Sequence, residues 1–160
     1  MKPNNFSFIL ILMLILNTLN LFSAGADIHE HSPNEIGSCL SYVYQSSEGT
    51  SDPAIHLDYT RALNESDFSL GFSFEKIFSE NQHLSAGISL DYEIIDNLTF
   101  AASPLIIWEN ENGWTSKFAL HLEVNYGIEI GQLHIGPLIG YATEFGDYHI
   151  GGGLHVGFHF

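Results

Sequence analysis

The sequence is poor in basic residues. In its 160 residues, 4 Lys and Arg stand against 19 Asp and Glu, which gives a formal charge of −15. Proteins bind nucleic acid by neutralising phosphates with Lys and Arg, so nucleic acid is excluded as a partner. The single cysteine excludes an internal disulfide framework. The sequence also contains no nucleotide-binding loop, no cysteine zinc site and no catalytic triad order. Disorder is excluded in turn, because 45% of the residues are apolar.

The one long apolar run lies at the beginning of the chain. Lys2 supplies a positive charge, Phe8–Leu16 is unbroken and apolar, and Ala24-Gly25-Ala26 offers a small-x-small cleavage site. This order is typical of a secretory signal peptide. The run is shorter than the ~20 residues that a membrane-spanning helix needs. We therefore predict a cleaved signal peptide over residues 1–26.

After this segment the chain alternates between apolar and polar residues, the period expected for β-strands with two different faces. Leu154, Val156, Phe158 and Phe160 share one parity near the C-terminus, while His155, Gly157 and His159 hold the other. Turn residues separate eight such segments, and no helical period competes with them. The predicted strands lie near residues 35–45, 54–62, 68–75, 83–94, 98–108, 114–127, 132–143 and 148–160.

Two prolines fall inside these predicted strands. Pro104 and Pro137 cannot donate a backbone hydrogen bond to a neighbouring strand. We therefore expect bulges or missing ladder bonds at these two positions.

The alternation alone allows a soluble barrel with an apolar cavity or a transmembrane barrel with an apolar belt. The apolar parity carries aromatic residues near the ends of the segments, as the interfacial girdles of membrane barrels do. The other parity is rich in Gly, Ser and Ala, which suit the narrow interior of eight strands. We therefore predict an all-β fold, an eight-stranded antiparallel up-and-down transmembrane β-barrel.

The chain resembles small eight-stranded Gram-negative outer-membrane β-barrel proteins. The resemblance rests on this architecture and on the ending Leu154-His-Val-Gly-Phe-His-Phe160, since such proteins commonly end in an alternating strand whose last residue is Phe. It implies a bacterial outer-membrane location with both termini in the periplasm. Residues 27–34 are then a periplasmic tail and residues 35–160 the barrel. It also implies contact with outer-membrane lipid and lipopolysaccharide, recognition of the Phe160 strand by the barrel assembly machinery, and a monomer.

With this orientation, eight acids are expected at the outer loops, with Lys76 as their only base. A negative surface of this kind concentrates cations, although the charges would also serve solubility. The eight acids are Glu48, Asp52, Glu75, Glu80, Glu109, Glu111, Glu144 and Asp147.

Nine histidines form the other chemical signal. His29 and His31 flank Glu30 in the expected tail and are candidate ligands for Zn, Ni or Cu. His56, His121, His134, His149, His155 and His159 share the interior parity. Apart from such a divalent metal, the sequence predicts no cofactor. Asp58, Asp91, Glu93 and Glu123 are expected to form a paired interior network with Lys117, because buried charges need partners.

The functional hypothesis is a non-enzymatic cell-envelope protein with a closed polar lumen and a structural or cation-binding role. One alternative is a metal-handling protein that uses His29, His31 and the interior histidines. The other is a lipid A-modifying barrel enzyme. For that activity His83 and Ser85 are a candidate pair, but the sequence shows no acid beside them.

Overall fold

The computed structural model describes residues 32–63, 66–110, 113–144 and 146–160. The predicted signal peptide and the candidate ligands His29 and His31 lie outside the described residues. Among those residues, no helix combines the length and apolar character needed to cross a membrane.

The polypeptide forms nine strand segments. They are β1 (Asn34–Gln45), β2 (Thr50–Ala62), β3 (Phe68–Ile77), β4 (Gln82–Ile95), β5 (Leu98–Asn110), β6 (Trp114–Tyr126), β7 (Ile128–Ile130), β8 (Leu133–Glu144) and β9 (Asp147–His159). All pairings are antiparallel: β1 to β6 pair in sequence order, β1 also pairs with β9, β9 pairs with β8, and β8 pairs with both β6 and β7. β6 and β7 are one strand interrupted at Gly127, so the sheet closes into the predicted eight-stranded barrel.

The two ends of the barrel differ in what they carry. The termini end holds the start of β1 at Asn34 and the last residue Phe160, whose backbone N–H donates to the Asn34 carbonyl at 2.9 Å. The loop end holds the four connections that follow β1, β3, β5 and β8.

Side chains alternate between the outside and the lumen along every strand, as the period of two requires. Leu40 is 67% exposed and Phe72 65%, whereas Cys39 is 1% and His56 4% exposed. The apolar parity faces outward and the parity of histidines and small residues faces inward. This confirms the predicted orientation of the two faces.

The outward surface of the described strands carries two basic side chains and no acid. Arg61 and Lys76 are each the next-to-last residue of their strand, one at each end of the barrel. Aromatic side chains ring the same surface: Tyr92, Tyr126 and Phe158 toward the termini end, Tyr44, Trp114 and Tyr148 toward the loop end.

The two prolines leave gaps in the ladder without shifting the register. Pro104 pairs across β5 and β6 with Leu120, but the pairing of β4 with β5 skips the positions opposite Ile88 and Ser89. Pro137 lies where β8 passes the break at Gly127. Missing ladder pairs are confirmed at both prolines. The register shift itself lies elsewhere, between Glu93 and Ile95.

The large apolar side chains that enter the lumen concentrate in its loop-end half, while the small side chain of Ala101 is buried nearer the termini end. The loop-end side chains form two buried clusters, Val43 with Ala54 and Ile77, and Leu105 with Ile107 and Ala119. The second cluster follows from the continuous apolar run 105–108 of β5, because Leu105 and Ile107 of that run point inward.

Candidate functional site

All seven histidines of the described residues point into the lumen. Each lies on the inward parity of its strand, and five are less than 9% exposed. The seven are His56, His83, His121, His134, His149, His155 and His159. Together with inward carboxylates they form three clusters spaced along the barrel.

The loop-end cluster is organised by one lysine. Lys117 Nζ lies 2.7 Å from Glu109 Oε2 and 3.1 Å from Glu144 Oε2. Glu144 Oε1 faces His149 Nε2 at 3.0 Å, and Glu109 Oε1 faces His83 Nδ1 at 3.5 Å. The two imidazole rings meet edge to face with centroids 5.0 Å apart. One cation therefore holds two carboxylates together at this end.

The central cluster bridges the lumen. His56 Nδ1 on β2 lies 2.9 Å from Glu123 Oε1 on β6, and these strands stand on opposite sides of the barrel. His121 Nε2 lies 3.7 Å from the same oxygen. A small cavity adjoins the cluster and is also lined by Cys39 and Glu75. The two imidazoles and one carboxylate bring ligand atoms within 4.8 Å of one another.

The termini-end cluster surrounds Glu35 on β1. Its Oε2 lies 3.2 Å from His159 Nε2 and 3.7 Å from His134 Nδ1, and its Oε1 lies 3.9 Å from His155 Nε2. His155 Nε2 also faces Asp58 Oδ1 at 3.4 Å. Three imidazoles and two carboxylates thus meet, and the ion pairs found here between described residues involve no lysine or arginine.

The structure corrects the expected outer-loop acids. Glu75, Glu109 and Glu144 face the lumen instead, and Glu144 is only 6% exposed. The parity of their strands points them inward, which the loop boundaries drawn from the sequence did not capture. Glu48 and Glu80 are exposed at the loop end, as expected, whereas Glu111 lies outside the described residues.

The expected interior network is also rearranged. Lys117 pairs with Glu109 and Glu144, not with Asp58, Asp91, Glu93 or Glu123. Glu93 is exposed and accepts a hydrogen bond from the Asn97 backbone N–H at 3.3 Å. Glu123, in contrast, lies inside the lumen against His56.

The candidate enzyme pair has an acid that the sequence did not reveal. Glu109 on β5 lies beside His83, because these residues are directly paired across β4 and β5. His83 and Ser85 are 2% and 3% exposed and face the lumen. The pair is therefore turned away from the outer surface where a lipid substrate would lie.

The grouping of ligands across strands is what the sequence could not show. His56 and Asp58 share the inward face of β2, yet His56 meets Glu123 and Asp58 meets His155. His121 and Glu123, which share the inward face of β6, do lie near each other, at 3.7 Å. Barrel closure and strand register decide the cross-strand partners, and neither is encoded by spacing along a single strand.

No protein-family model matches the sequence, and no curated protein matches it. Several solved structures do resemble its fold. Neisserial surface protein A is 13% identical, with a TM-score of 0.58, over 82% of this chain and 100% of that one. Ail of Yersinia pestis, in complex with the heparin analogue sucrose octasulfate, is 15% identical, with a TM-score of 0.53, over 81% and 98%. A de novo designed transmembrane β-barrel is 9% identical, with a TM-score of 0.55, over 82% and 98%.

At these identities the likeness defines the fold. The chain has the fold of the small eight-stranded outer-membrane barrels, as the resemblance in the sequence implied.

Proposed function

We propose that this protein is a non-enzymatic integral protein of the bacterial outer membrane, with both termini in the periplasm. The observation that carries the proposal is the outward surface of the barrel. Between its two ends this surface is apolar and uncharged, with Arg61 and Lys76 only at the edges. A soluble monomer rarely exposes an apolar patch larger than a few hundred Å². Such an apolar belt fits an environment of lipid acyl chains.

The filled lumen supports a closed barrel. Paired histidines and carboxylates cross it at three levels, and apolar side chains occupy its loop-end half. Eight strands leave an interior just wide enough for side chains. A structural role in the envelope therefore fits better than passage of sugar-sized solutes.

The loop end would face outward and contribute the cation-binding part of the role. Glu48, Asp52, Glu80 and Asp147 remain there with Lys76, so the surface attracts divalent ions and cationic groups. Divalent ions bound there would bridge to lipopolysaccharide. The same charge disfavours a polyanion such as the heparin analogue bound to Ail.

The C-terminal strand β9, with Phe160 after it, would be the segment recognised during insertion of the barrel into the membrane. β9 pairs with both β1 and β8, so it closes the barrel, and its outward row ends at Phe158 and Phe160. Recognition of this strand by the barrel assembly machinery is part of the proposal.

Two alternatives remain as proposals. Metal handling through His29, His31 and the lumen histidines is supported by the ligand groups of the central and termini-end clusters. Calorimetry with Zn, Ni and Cu tests it, and millimolar or absent binding would refute it. Lipid A modification is disfavoured, because His83 and Ser85 face inward. An unchanged lipid A mass spectrum after gene deletion would dismiss it.

The main proposal is tested by fractionation with heat-modifiable gel migration. We expect the protein in the outer-membrane fraction, with a folded band that migrates differently after boiling. Recovery of the protein only in the soluble periplasm would refute the proposal. A matched pair of variants sharpens the test: Ile139→Arg adds a charge to the apolar belt, while Lys76→Arg keeps a charge at its edge. In a bilayer the first should cost about 2–4 kcal/mol and the second nothing measurable.

A further inference from the structure

Glu35, His134 and His159 place three metal-ligating atoms around one point in the termini-end cluster. His159 lies directly across the β1–β9 ladder from Glu35, and His134 comes from β8. Glu35 Oε2 lies 3.2 Å from His159 Nε2 and 3.7 Å from His134 Nδ1. The three ligand atoms lie within 4.8 Å of one another. Bonds of about 2.0–2.1 Å to a tetrahedral zinc ion separate its ligands by about 3.4 Å, so the two measured distances bracket the required value.

Glycines provide the space that these side chains occupy. A Cβ added at Gly157 would lie 2.3 Å from Glu35 Oε1, and one at Gly37 would lie 2.4 Å from His155 Nε2. A Cβ at Gly127 would lie 1.3 Å from His134 Nε2. His134 is thus seated against bare backbone with its Nδ1 directed toward Glu35. Any larger residue at these positions would displace a ligand side chain.

A second layer of polar groups orients the carboxylate. The Asn125 amide nitrogen lies 3.0 Å from His155 Nδ1. On the other side of the same ring, His155 Nε2 faces Asp58 Oδ1 at 3.4 Å and Glu35 Oε1 at 3.9 Å. Partners of this kind fix the orientation of metal ligands in known sites. His155 is therefore a positioning residue for Glu35.

The termini-end cluster suits a cation better than the other two clusters. Lys117 already neutralises the acids of the loop-end cluster, whereas the termini-end cluster joins two carboxylates with no lysine or arginine. The central cluster is enclosed, but the His159 side chain is 24% exposed and gives an ion a route from the termini end. Two imidazoles and a carboxylate are ligands for Zn²⁺, Ni²⁺ and Cu²⁺.

We propose that Glu35, His134 and His159 bind one divalent transition-metal ion in the lumen, with His155 holding Glu35 in place. This site goes beyond the envelope role proposed above. Its test does not depend on the cellular location of the barrel.

The test is titration of Zn²⁺ into the refolded mature chain in detergent micelles, after removal of metal with a chelator. We expect a saturable site that is lost in His159→Ala and in Glu35→Gln, so that the stoichiometry falls by one ion per chain. His155→Ala should keep the site but weaken its affinity about 10–100-fold. Cu²⁺ bound to the wild-type protein should show nitrogen couplings from two imidazoles in its electron paramagnetic resonance spectrum.

Two controls make the result specific. His83→Ala removes a lumen histidine at the loop end, and the double change His29→Ala with His31→Ala removes the tail histidines. His83→Ala should keep the full stoichiometry, the tail variant should keep the ion that His159→Ala removes, and heat-modifiable migration should show every variant folded. Absence of saturable Zn²⁺ binding would overturn the proposal, as would unchanged stoichiometry in folded His159→Ala. Loss of the site in either control would overturn it too. If His159→Ala does not fold, Cu²⁺ bound to the chain without His29 and His31 decides, because its two imidazole couplings should persist there and disappear in Glu35→Gln with the same two changes.

Discussion

The two halves of the lumen solve the problem of a crowded interior in different ways. The loop-end half packs Ile77, Ile107 and their apolar neighbours and adds one ion-pair cluster built on Lys117. The termini-end half uses imidazoles and carboxylates in their place, around Glu35. The same barrel therefore contains a half built like a protein core and a half built like a ligand site.

The difference lies in how many partners each charge has. Lys117 is the sole lysine or arginine for two carboxylates, so its cluster depends on one side chain. In the termini-end cluster, His155 faces both Asp58 and Glu35, and Glu35 faces three histidines. Single changes should therefore cost more in the loop-end half. The following predictions test that contrast in urea unfolding of the refolded barrel in lipid vesicles, with metal removed.

The largest effect is expected where the loop-end half is most core-like. Ile107 is 1% exposed and packs with Leu105 and Ala119. Ile107→Asp would place a carboxylate among apolar side chains, and we expect a loss of about 4 kcal/mol or more in the free energy of unfolding. Ile107→Val is the matched control and should cost about 1 kcal/mol. A loss below that of the control in Ile107→Asp would show that water fills this half as well.

The next effect comes from the single lysine. Lys117→Met would leave Glu144, whose side chain is 2% exposed, without its cation. Removal of one partner from a fully buried ion pair lowers the free energy of unfolding by about 3–5 kcal/mol. Because the Lys117 side chain is 46% exposed, we expect a smaller loss of about 2 kcal/mol. Lys117→Arg should restore most of the stability.

Lys76→Met is the control for that change. Lys76 lies outside the lumen with its Nζ 5.1 Å from the centre of the Phe78 ring, and its loss should cost about 0.5 kcal/mol. Equal losses at Lys117 and Lys76 would mean that the ion pairs of the loop-end cluster add nothing.

The period-two alternation of apolar and polar residues predicted most of the fold. Leu154, Val156 and Phe158 form an apolar row on the outer surface. A register slip of one residue would turn these side chains into the lumen, so the alternation fixes the register of the strand. Closure followed from the number of strands. The inward face of Glu109 and Glu144 was missed, because parity near a strand end is read from very few residues. The clusters were missed for a deeper reason: Glu35 and His159 are directly paired, yet they lie at opposite ends of the chain.

A smaller effect is expected in the termini-end half. Asp58→Asn should cost only about 1 kcal/mol, because the amide oxygen still accepts a hydrogen bond and Glu35 remains near His155. The sharper measurement is the double change with Glu35→Gln. If the two acids substitute for each other, the double variant should lose about 1 kcal/mol more than the sum of the single variants. Strict additivity would contradict the shared pairing.

The smallest effect is expected outside both halves, at the exposed acids of the loop end. Glu48 Oε1 accepts a hydrogen bond from Asn81 at 2.9 Å, and both side chains are in contact with solvent. Glu48→Gln should change the free energy of unfolding by about 0.5 kcal/mol or less, because water replaces what the carboxylate loses. The same change removes a negative charge from the proposed cation-binding surface, so Ca²⁺ binding should weaken while stability stays the same. A loss of stability as large as that of Lys117→Met would instead place Glu48 within the structural charge network of the lumen.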